Sequence, residues 1–190
     1  CSSDLFGPND PSVDASVNRL AAVYDAQKHY DLAEPLLRRS LETRERIFGK
    51  DAPEIASSLH NLGILKHKQN KLPEAIELLK RAWQVREKKF GLRDLEMERS
   101  ITALGSIYLQ QKKYKDADVL FQLSLKIREN LVGKDHPSLV PSLGNLANLY
   151  AMQDRPVDAQ KLLERSLALE EKAFGTETGY LVTTLNNLAL

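Results

Sequence analysis

The sequence predicts an all-α solenoid of helical hairpins, and the first reason is a regular spacing of small and apolar residues. Glycines recur every 42 residues, at Gly7, Gly49, Gly91, Gly133 and Gly175. Alanines and leucines follow the same step, at Ala33, Ala75, Ala117 and Ala159 and at Leu20, Leu62, Leu104, Leu146 and Leu188. A fixed period of this kind is the signature of a repeat architecture in which each unit packs on its neighbours.

The second reason is that apolar residues fall at helical spacing twice within each period. In one period they lie at Ile55, Leu59, Leu62 and Leu65, and then at Ala75, Leu78, Leu79, Ala82, Val85 and Phe90. Steps of three and four residues are typical of an amphipathic helix. The polar stretch KQNKLPE separates the two segments and contains Pro73, where a second helix can begin. Each repeat is therefore predicted to be two helices joined by a short turn.

The phrases FGKDAP and VGKDHP predict the junctions between hairpins. Gly49 suits the position just past a helix end, where a left-handed backbone is often needed, and Pro53 suits the first turn of the next helix. The same place is taken in other repeats by Pro11 and Pro137. Pro35 and Pro141 are expected within about a turn of a helix start, where a missing backbone donor costs little.

The period also predicts the organisation of the chain as a single array. Four full repeats are expected at residues 11–52, 53–94, 95–136 and 137–178. Residues 1–10 match the tail of a preceding repeat, and residues 179–190 match the start of another. We therefore expect a fragment of a longer array, with possible end-to-end self-association through the truncated repeats.

Composition argues against several classes of function. With 27 basic and 26 acidic residues the formal net charge is +1, so the chain lacks the basic footprint of a nucleic-acid binder. No run approaches the roughly 18 apolar residues of a membrane span, and the start CSSDLFGPND lacks the regions of a signal peptide. Cys1 is the single cysteine, which suits a reducing compartment. We expect a cytoplasmic protein that binds neither nucleic acid nor membrane.

In type and spacing, Leu62, Gly63, Ala75, Leu79 and Ala82 resemble the tetratricopeptide repeat, a helix-turn-helix unit of about 34 residues. The longer period here would add about two helical turns. With LNNLA opening helices and IRE followed by GKDHP closing repeats, the chain is similar to arrays of the kinesin light chain and nephrocystin-3 type. The resemblance implies a right-handed superhelical solenoid that serves as a protein-binding adaptor or scaffold.

Three features depart from that family pattern. Lys66 stands where the other repeats have a tyrosine, at Tyr24, Tyr108 and Tyr150. The stretch LRDLEMER replaces the glycine-aspartate-histidine-proline junction before the third repeat. Arg19 and Ala103 stand where the other repeats have an asparagine, at Asn61, Asn145 and Asn187.

By resemblance, the first helix of each repeat lines a concave groove, where the register places a row of polar side chains. The predicted peptide-binding residues are Asn18, Arg19, His60, Asn61, His67, Lys68, Arg99, Asn145, Asn148, Asn186 and Asn187. An asparagine amide offers both a donor and an acceptor, so a row of them can pair with the main chain of an extended peptide. The three cations in the row outnumber Asp25, which favours a peptide that contains acidic residues.

The sequence shows no catalytic or metal-binding motif. His60 and His67 are seven residues apart, about 10 Å along a helix, which is too far for one shared metal ion. A glycine-rich phosphate loop and a nucleophile motif are both missing. We therefore expect no enzymatic activity, metal or cofactor.

Two other functions stay open. One is an architectural scaffold that packs against other domains of its own chain, which an apolar patch on the convex side would favour. The other is a receptor for chaperone tails, which by resemblance needs paired lysines and asparagines in the groove. Its positions hold Asn18, His60, Thr102 and Gly144 here, without the lysines, so this alternative ranks third.

Overall fold

The computed structural model describes residues 11–175, which form eight α-helices and two short 3-10 turns, with no strand among these residues. The α-helices are α1 (Pro11–Ala26), α2 (Tyr30–Phe48), α3 (Ala56–Lys68), α4 (Leu72–Phe90), α5 (Leu95–Gln110), α6 (Tyr114–Val132), α7 (Val140–Met152) and α8 (Pro156–Phe174). The 3-10 turns, Pro53–Ile55 and Pro137–Leu139, precede α3 and α7. The all-α fold class of paired helices is therefore confirmed.

The chain divides into two compact units of two helical hairpins each. Unit 1 is Cys1–Gly91 and contains α1 to α4, and unit 2 is Leu92–Leu190 and contains α5 to α8. Buried leucines from α3 pack with Ala33, Leu37 and Leu41 of α2 to form the core of unit 1. In unit 2 the ring of Phe121 packs with Leu146 and the flanking tyrosines. Most of the periodic apolar positions predicted from the sequence thus form the core, whereas Leu20 and Phe90 are exposed.

Small residues let the two helices of a hairpin approach closely. A Cβ atom added at Gly63 of α3 would lie 2.8 Å from Leu79 Cγ of α4. A Cβ atom at Gly105 of α5 would lie 2.6 Å from Phe121 Cε1 of α6. Neither distance leaves room for a methyl group, so glycine is required at both positions by packing.

Left-handed backbone ends each hairpin and also forms the turn inside it. Gly49 and Gly133 have φ values of 90° and 89° with ψ near 160°, a region that is open almost only to glycine. The prediction that glycine ends these helices is confirmed. The turns inside the hairpins instead use ordinary residues with positive φ, namely Lys28, Asn70, Lys112 and Asp154. The sequence did not predict this conformation, because lysine, which holds two of the four positions, rarely adopts it.

Three prolines lie elsewhere than predicted. Pro53 and Pro137 each begin a 3-10 turn rather than an α-helix, and α3 and α7 start three residues later. Pro35 is the sixth residue of α2, past the amides that lack partners at a helix start. The helix therefore forgoes the hydrogen bond that this residue would otherwise donate to the carbonyl of Asp31.

The stretch LRDLEMER starts α5 with a side-chain cap in place of a proline. Asp94 has extended backbone, and its Oδ1 accepts from the backbone N–H of Met97 at 2.8 Å. An aspartate in this position satisfies a helix amide that has no partner within the helix.

Replacing this cap tests its contribution. Asp94→Ala is expected to lower the free energy of unfolding by about 1 kcal/mol, since alanine leaves the amide of Met97 without its acceptor. Asp94→Asn keeps an acceptor oxygen and is expected to retain most of the stability. Urea denaturation followed by circular dichroism measures both variants, and equal losses in the two would contradict capping as the role of Asp94.

Lys66, which stands where the other repeats have a tyrosine, forms a buried ion cluster that joins three helices of unit 1. Lys66 has only 2% of its surface exposed, and its Nζ donates to Glu34 Oε1 of α2 and Glu74 Oε2 of α4, both at 2.8 Å. Arg38 and Gln69 also donate to the Glu34 carboxylate, at 2.9 and 3.1 Å. Each charge inside the cluster therefore has an opposite partner, which offsets the cost of burying it.

The equivalent place in unit 2 holds a similar contact in which the donors are uncharged. Tyr150, which takes the position of Lys66, donates its hydroxyl to Asp118 Oδ1 at 3.1 Å. Gln122, in the position of Arg38, donates to the same oxygen at 2.9 Å. The two units thus use one location for a polar link between hairpins, with a lysine in unit 1 and a tyrosine in unit 2.

The Glu34 carboxyl makes unit 1 sensitive to acid. Burial alone would raise its pKa, but hydrogen bonds from Lys66, Arg38 and Gln69 outweigh burial and lower the pKa from 4.5 to about 2. A lowered folded-state pKa adds stability above the unfolded value of 4.5, and this stability is lost as pH falls toward 2.

We therefore expect the urea midpoint of unit 1 to drop between pH 4.5 and 2. The single tryptophan, Trp83 on α4, lies in unit 1 and reports this transition by fluorescence. Glu34→Gln removes this titrating group and should make the pH dependence shallower, leaving the contributions of Glu54 and Glu74, whose pKa values are also lowered. The same slope in both proteins would show that Glu34 is not its source.

Candidate peptide-binding faces

Face 1, in unit 1, is formed by α1 and α3 and contains Arg19, His60, Asn61, His67 and Lys68. Lys68 Nζ donates to Asp25 Oδ2 at 2.6 Å, a contact that brings the ends of these two helices together. Arg19, Asn61 and Lys68 are exposed, and the two histidines are half-buried. Face 1 therefore presents an amide, cationic groups and imidazoles on adjacent helices.

Face 2, in unit 2, belongs to the equivalent helices α5 and α7 and contains Arg99, Asn145, Asn148 and Met152. Asn148 is exposed, Asn145 is half-buried, and Met152 has 47% of its surface exposed. Two hydroxyls of α5 are already engaged: Ser106 Oγ donates to the carbonyl of Thr102 at 3.1 Å, and Thr102 Oγ1 donates to Glu98 Oε1 at 2.8 Å. Amide groups and a thioether are therefore the accessible chemistry of α7.

The asparagines on these faces have unused hydrogen-bonding capacity. Within residues 11–175, the amides of Asn61, Asn145 and Asn148 make no hydrogen bond. Each amide can donate two hydrogen bonds and accept two. Hydrogen bonds among the described residues therefore leave these three side chains available to a ligand.

Asn18 is different, because its amide holds the first hairpin together. Its Nδ2 donates to the carbonyl of Asp14 at 2.9 Å and to Ser40 Oγ of α2 at 2.8 Å. In unit 2 the equivalent residue, Thr102, makes the matching contact with Ser124 Oγ at 2.8 Å. With both amide hydrogens engaged, Asn18 stabilises the packing of α1 on α2, and we leave it out of face 1.

The predicted cations differ in how they are paired. Arg99 Nη1 lies 3.2 Å from both carboxylate oxygens of Glu96, one turn earlier on α5. Lys68 is paired with Asp25 as described above. Arg19 is exposed and makes no ion pair with a described residue. Glu96 is not among the predicted groove residues, although its spacing of three residues from Arg99 is a usable signal.

Asn186 and Asn187, the last predicted asparagines, lie outside the described residues. Among residues 11–175, no three His, Cys, Asp or Glu side chains come together as they would around a metal ion. In that same range, no helix combines the length and the apolar character needed to cross a membrane.

Solved structures with the same fold are helical repeat proteins. A putative kinesin light chain with nearly identical TPR-like repeats from Podosopora anserina has a TM-score of 0.82 and 22% identity, over 96% of this chain and 85% of its own. BtubC (BKLC) from P. vanneervenii has a TM-score of 0.78 and 19% identity, over 91% and 68%. MamA has a TM-score of 0.61 and 16% identity, over 86% and 82%. At these identities the likeness establishes the fold alone.

Comparison with curated proteins gives no significant match. The family model described as Tetratricopeptide repeat matches residues 12–88 and again residues 96–172, which together are most of the chain. These matches agree with the repeat residues identified above and with the fold of the kinesin light chain repeats. The chain therefore belongs to the tetratricopeptide repeat family.

Proposed function

We propose that this chain is an adaptor module that binds extended peptide segments of partner proteins on face 1 and face 2. Tetratricopeptide repeats are generally protein-interaction modules, which supports a protein as the partner. The observation that carries the proposal is the pair Asn61 and Asn145. Both occupy the same position of a repeat, and neither makes a hydrogen bond within the described part of the chain.

The proposed mechanism is pairing between these amides and the main chain of the ligand. An extended peptide exposes unpaired N–H and C=O groups, and one asparagine can bond to both kinds of group. The helices hold the backbone of both asparagines at fixed positions, so little backbone entropy is lost on binding. Such pairing fixes the direction and register of the peptide, but it does not distinguish between the side chains of different peptides.

Neighbouring charges would then select the sequence of the peptide. Arg19 is exposed without an ion pair to a described residue, so its guanidinium can pair with a carboxylate of the ligand. Lys68 and Arg99 already have acidic partners at 2.6 and 3.2 Å, and they contribute less net attraction. The preference for acidic segments therefore rests mainly on Arg19.

A peptide-display selection on the full chain tests the proposal. The test protein carries Asn61→Ala and Asn145→Ala together, and the control carries Asn130→Ala, an exposed asparagine of α6 away from both faces. Circular dichroism checks that all three proteins keep their helicity. We expect a consensus from the parent and the control, with affinity for the double variant lower by about tenfold or more.

Two results would count against this function. An empty selection, or one identical for parent and double variant, would sink peptide binding on these faces. Either result would favour the architectural scaffold, in which the repeats pack against other domains.

A further inference from the structure

The two units repeat each other's internal contacts at a step of 84 residues. The recurring ion pairs are Arg44–Asp14 and Arg81–Glu45 in unit 1 and Arg128–Glu98 and Arg165–Glu129 in unit 2, all between 2.6 and 2.8 Å. The two matches to the family model likewise begin 84 residues apart. Each unit is thus an equivalent block of two hairpins, and face 1 can be compared with face 2 position by position.

The two faces share one asparagine position but differ in the residues around it. Asn61 of face 1 corresponds to Asn145 of face 2. Each position that carries a cation or an imidazole in face 1 carries an uncharged residue in face 2. The corresponding pairs are Arg19 and Ala103, His60 and Gly144, His67 and Ala151, and Lys68 and Met152. The group proposed to bind the peptide main chain is therefore kept, while the groups that would select its side chains are replaced.

The net charge of the two units differs in the same direction as the faces, because unit 1 is more positive than unit 2. Unit 1 contains 15 basic and 13 acidic side chains, whereas unit 2 contains 12 basic and 13 acidic side chains. The one cation of face 2, Arg99, is already held by Glu96. Long-range attraction for an anionic peptide is therefore expected at face 1 alone.

The accessible groups of face 2 suit another ligand. A Cβ atom added at Gly144 meets nothing within 4 Å, so the surface there is open. Met152 is about half exposed, and its flexible thioether can adapt to apolar side chains. Asn145 and Asn148 supply amides on the same helix.

We infer that the chain has two peptide sites of different specificity: face 1 binds an acidic segment, and face 2 binds an uncharged segment that carries an apolar side chain. The inference rests on the proposed function and adds the number of sites and the chemistry that each one selects. A partner with both kinds of segment, or two partners, could occupy the chain at once.

Peptides recovered from the display selection provide the probes, and single variants of the full chain assign them to a face. Peptides rich in Asp and Glu are expected to bind about tenfold more weakly to Asn61→Ala and to Arg19→Ala, with less than about twofold change for Asn145→Ala. Uncharged peptides are expected to show the reverse order. Raising the salt concentration should weaken only the acidic class, because exposed charges are screened.

Three results would overturn the inference. A single class of peptide that both asparagine variants weaken equally would indicate one continuous site, and would leave the proposed function standing. Acidic peptides weakened by Asn145→Ala and not by Asn61→Ala would reverse the assignment. Recovery of no peptide at all would remove both the inference and the proposed function.

Discussion

Replacing Lys66 with alanine is expected to lower the free energy of unfolding of unit 1 by about 3 kcal/mol, the low end of the range for breaking a buried ion pair. The substitution removes the ammonium group that links Glu34 of α2 to Glu74 of α4. Glu34 keeps its hydrogen bonds from Arg38 and Gln69, which is why a larger loss is not expected. Urea denaturation followed by Trp83 fluorescence measures the change.

Two matched variants separate burial from charge. Lys66→Tyr introduces the residue of the other repeats, and it should recover much of the lost stability by a hydroxyl contact like that of Tyr150 with Asp118. Lys68→Ala breaks an exposed ion pair with Asp25 and should cost less than about 1 kcal/mol. If Lys66→Ala were no more harmful than Lys68→Ala, the cluster would not be a source of stability.

The second large effect is expected at Gly105, where the new methyl group of Gly105→Ala would lie 2.6 Å from Phe121 Cε1. The aromatic ring is buried, so the ring or the two helices must shift to admit the methyl group, at a cost of about 1–3 kcal/mol for overpacking. The higher helix propensity of alanine returns at most about 1 kcal/mol of this. Thermal and urea unfolding by circular dichroism should show a net loss of stability.

Gly144→Ala is the matched control in the same unit. Gly144 also lies within an α-helix, but an added Cβ atom there meets nothing within 4 Å. The substitution should therefore raise the free energy of unfolding by up to about 1 kcal/mol through helix propensity alone. A stabilising effect at both glycines would contradict the close packing of α5 on α6.

The repeat architecture could be predicted because its signals are local and periodic. Gly49 ends a helix in a conformation open to little else, so it marks the boundary whatever packs nearby. Leu62 and Leu65 are buried as their helical spacing indicates. The starts of α3 and α7 were less predictable, because proline suits a 3-10 turn as well as the first turn of an α-helix.

The ion cluster depends on contacts between residues that are far apart in the sequence. The hydrogen bonds that engage some of the site residues depend on such contacts too. Lys66 meets Glu34, 32 residues earlier in the chain, and the sequence alone shows only a lysine in place of a tyrosine. Asn18 shares the register of a groove residue, yet its amide bonds to Ser40, 22 residues away. The repeat register identified the helices that carry the candidate faces, but only the packed structure shows which side chains on them are engaged.

Hydrogen exchange of the full chain, with and without a peptide from the display selection, tests the proposed function most directly. Binding on face 1 or face 2 predicts slower amide exchange in α3 or α7, where Asn61 and Asn145 lie, and little change in α4 and α8. The Asn61→Ala and Asn145→Ala double variant should lose this protection. Protection confined to α2, α4, α6 or α8 would contradict the account, because it would place the ligand on the opposite helices of the hairpins.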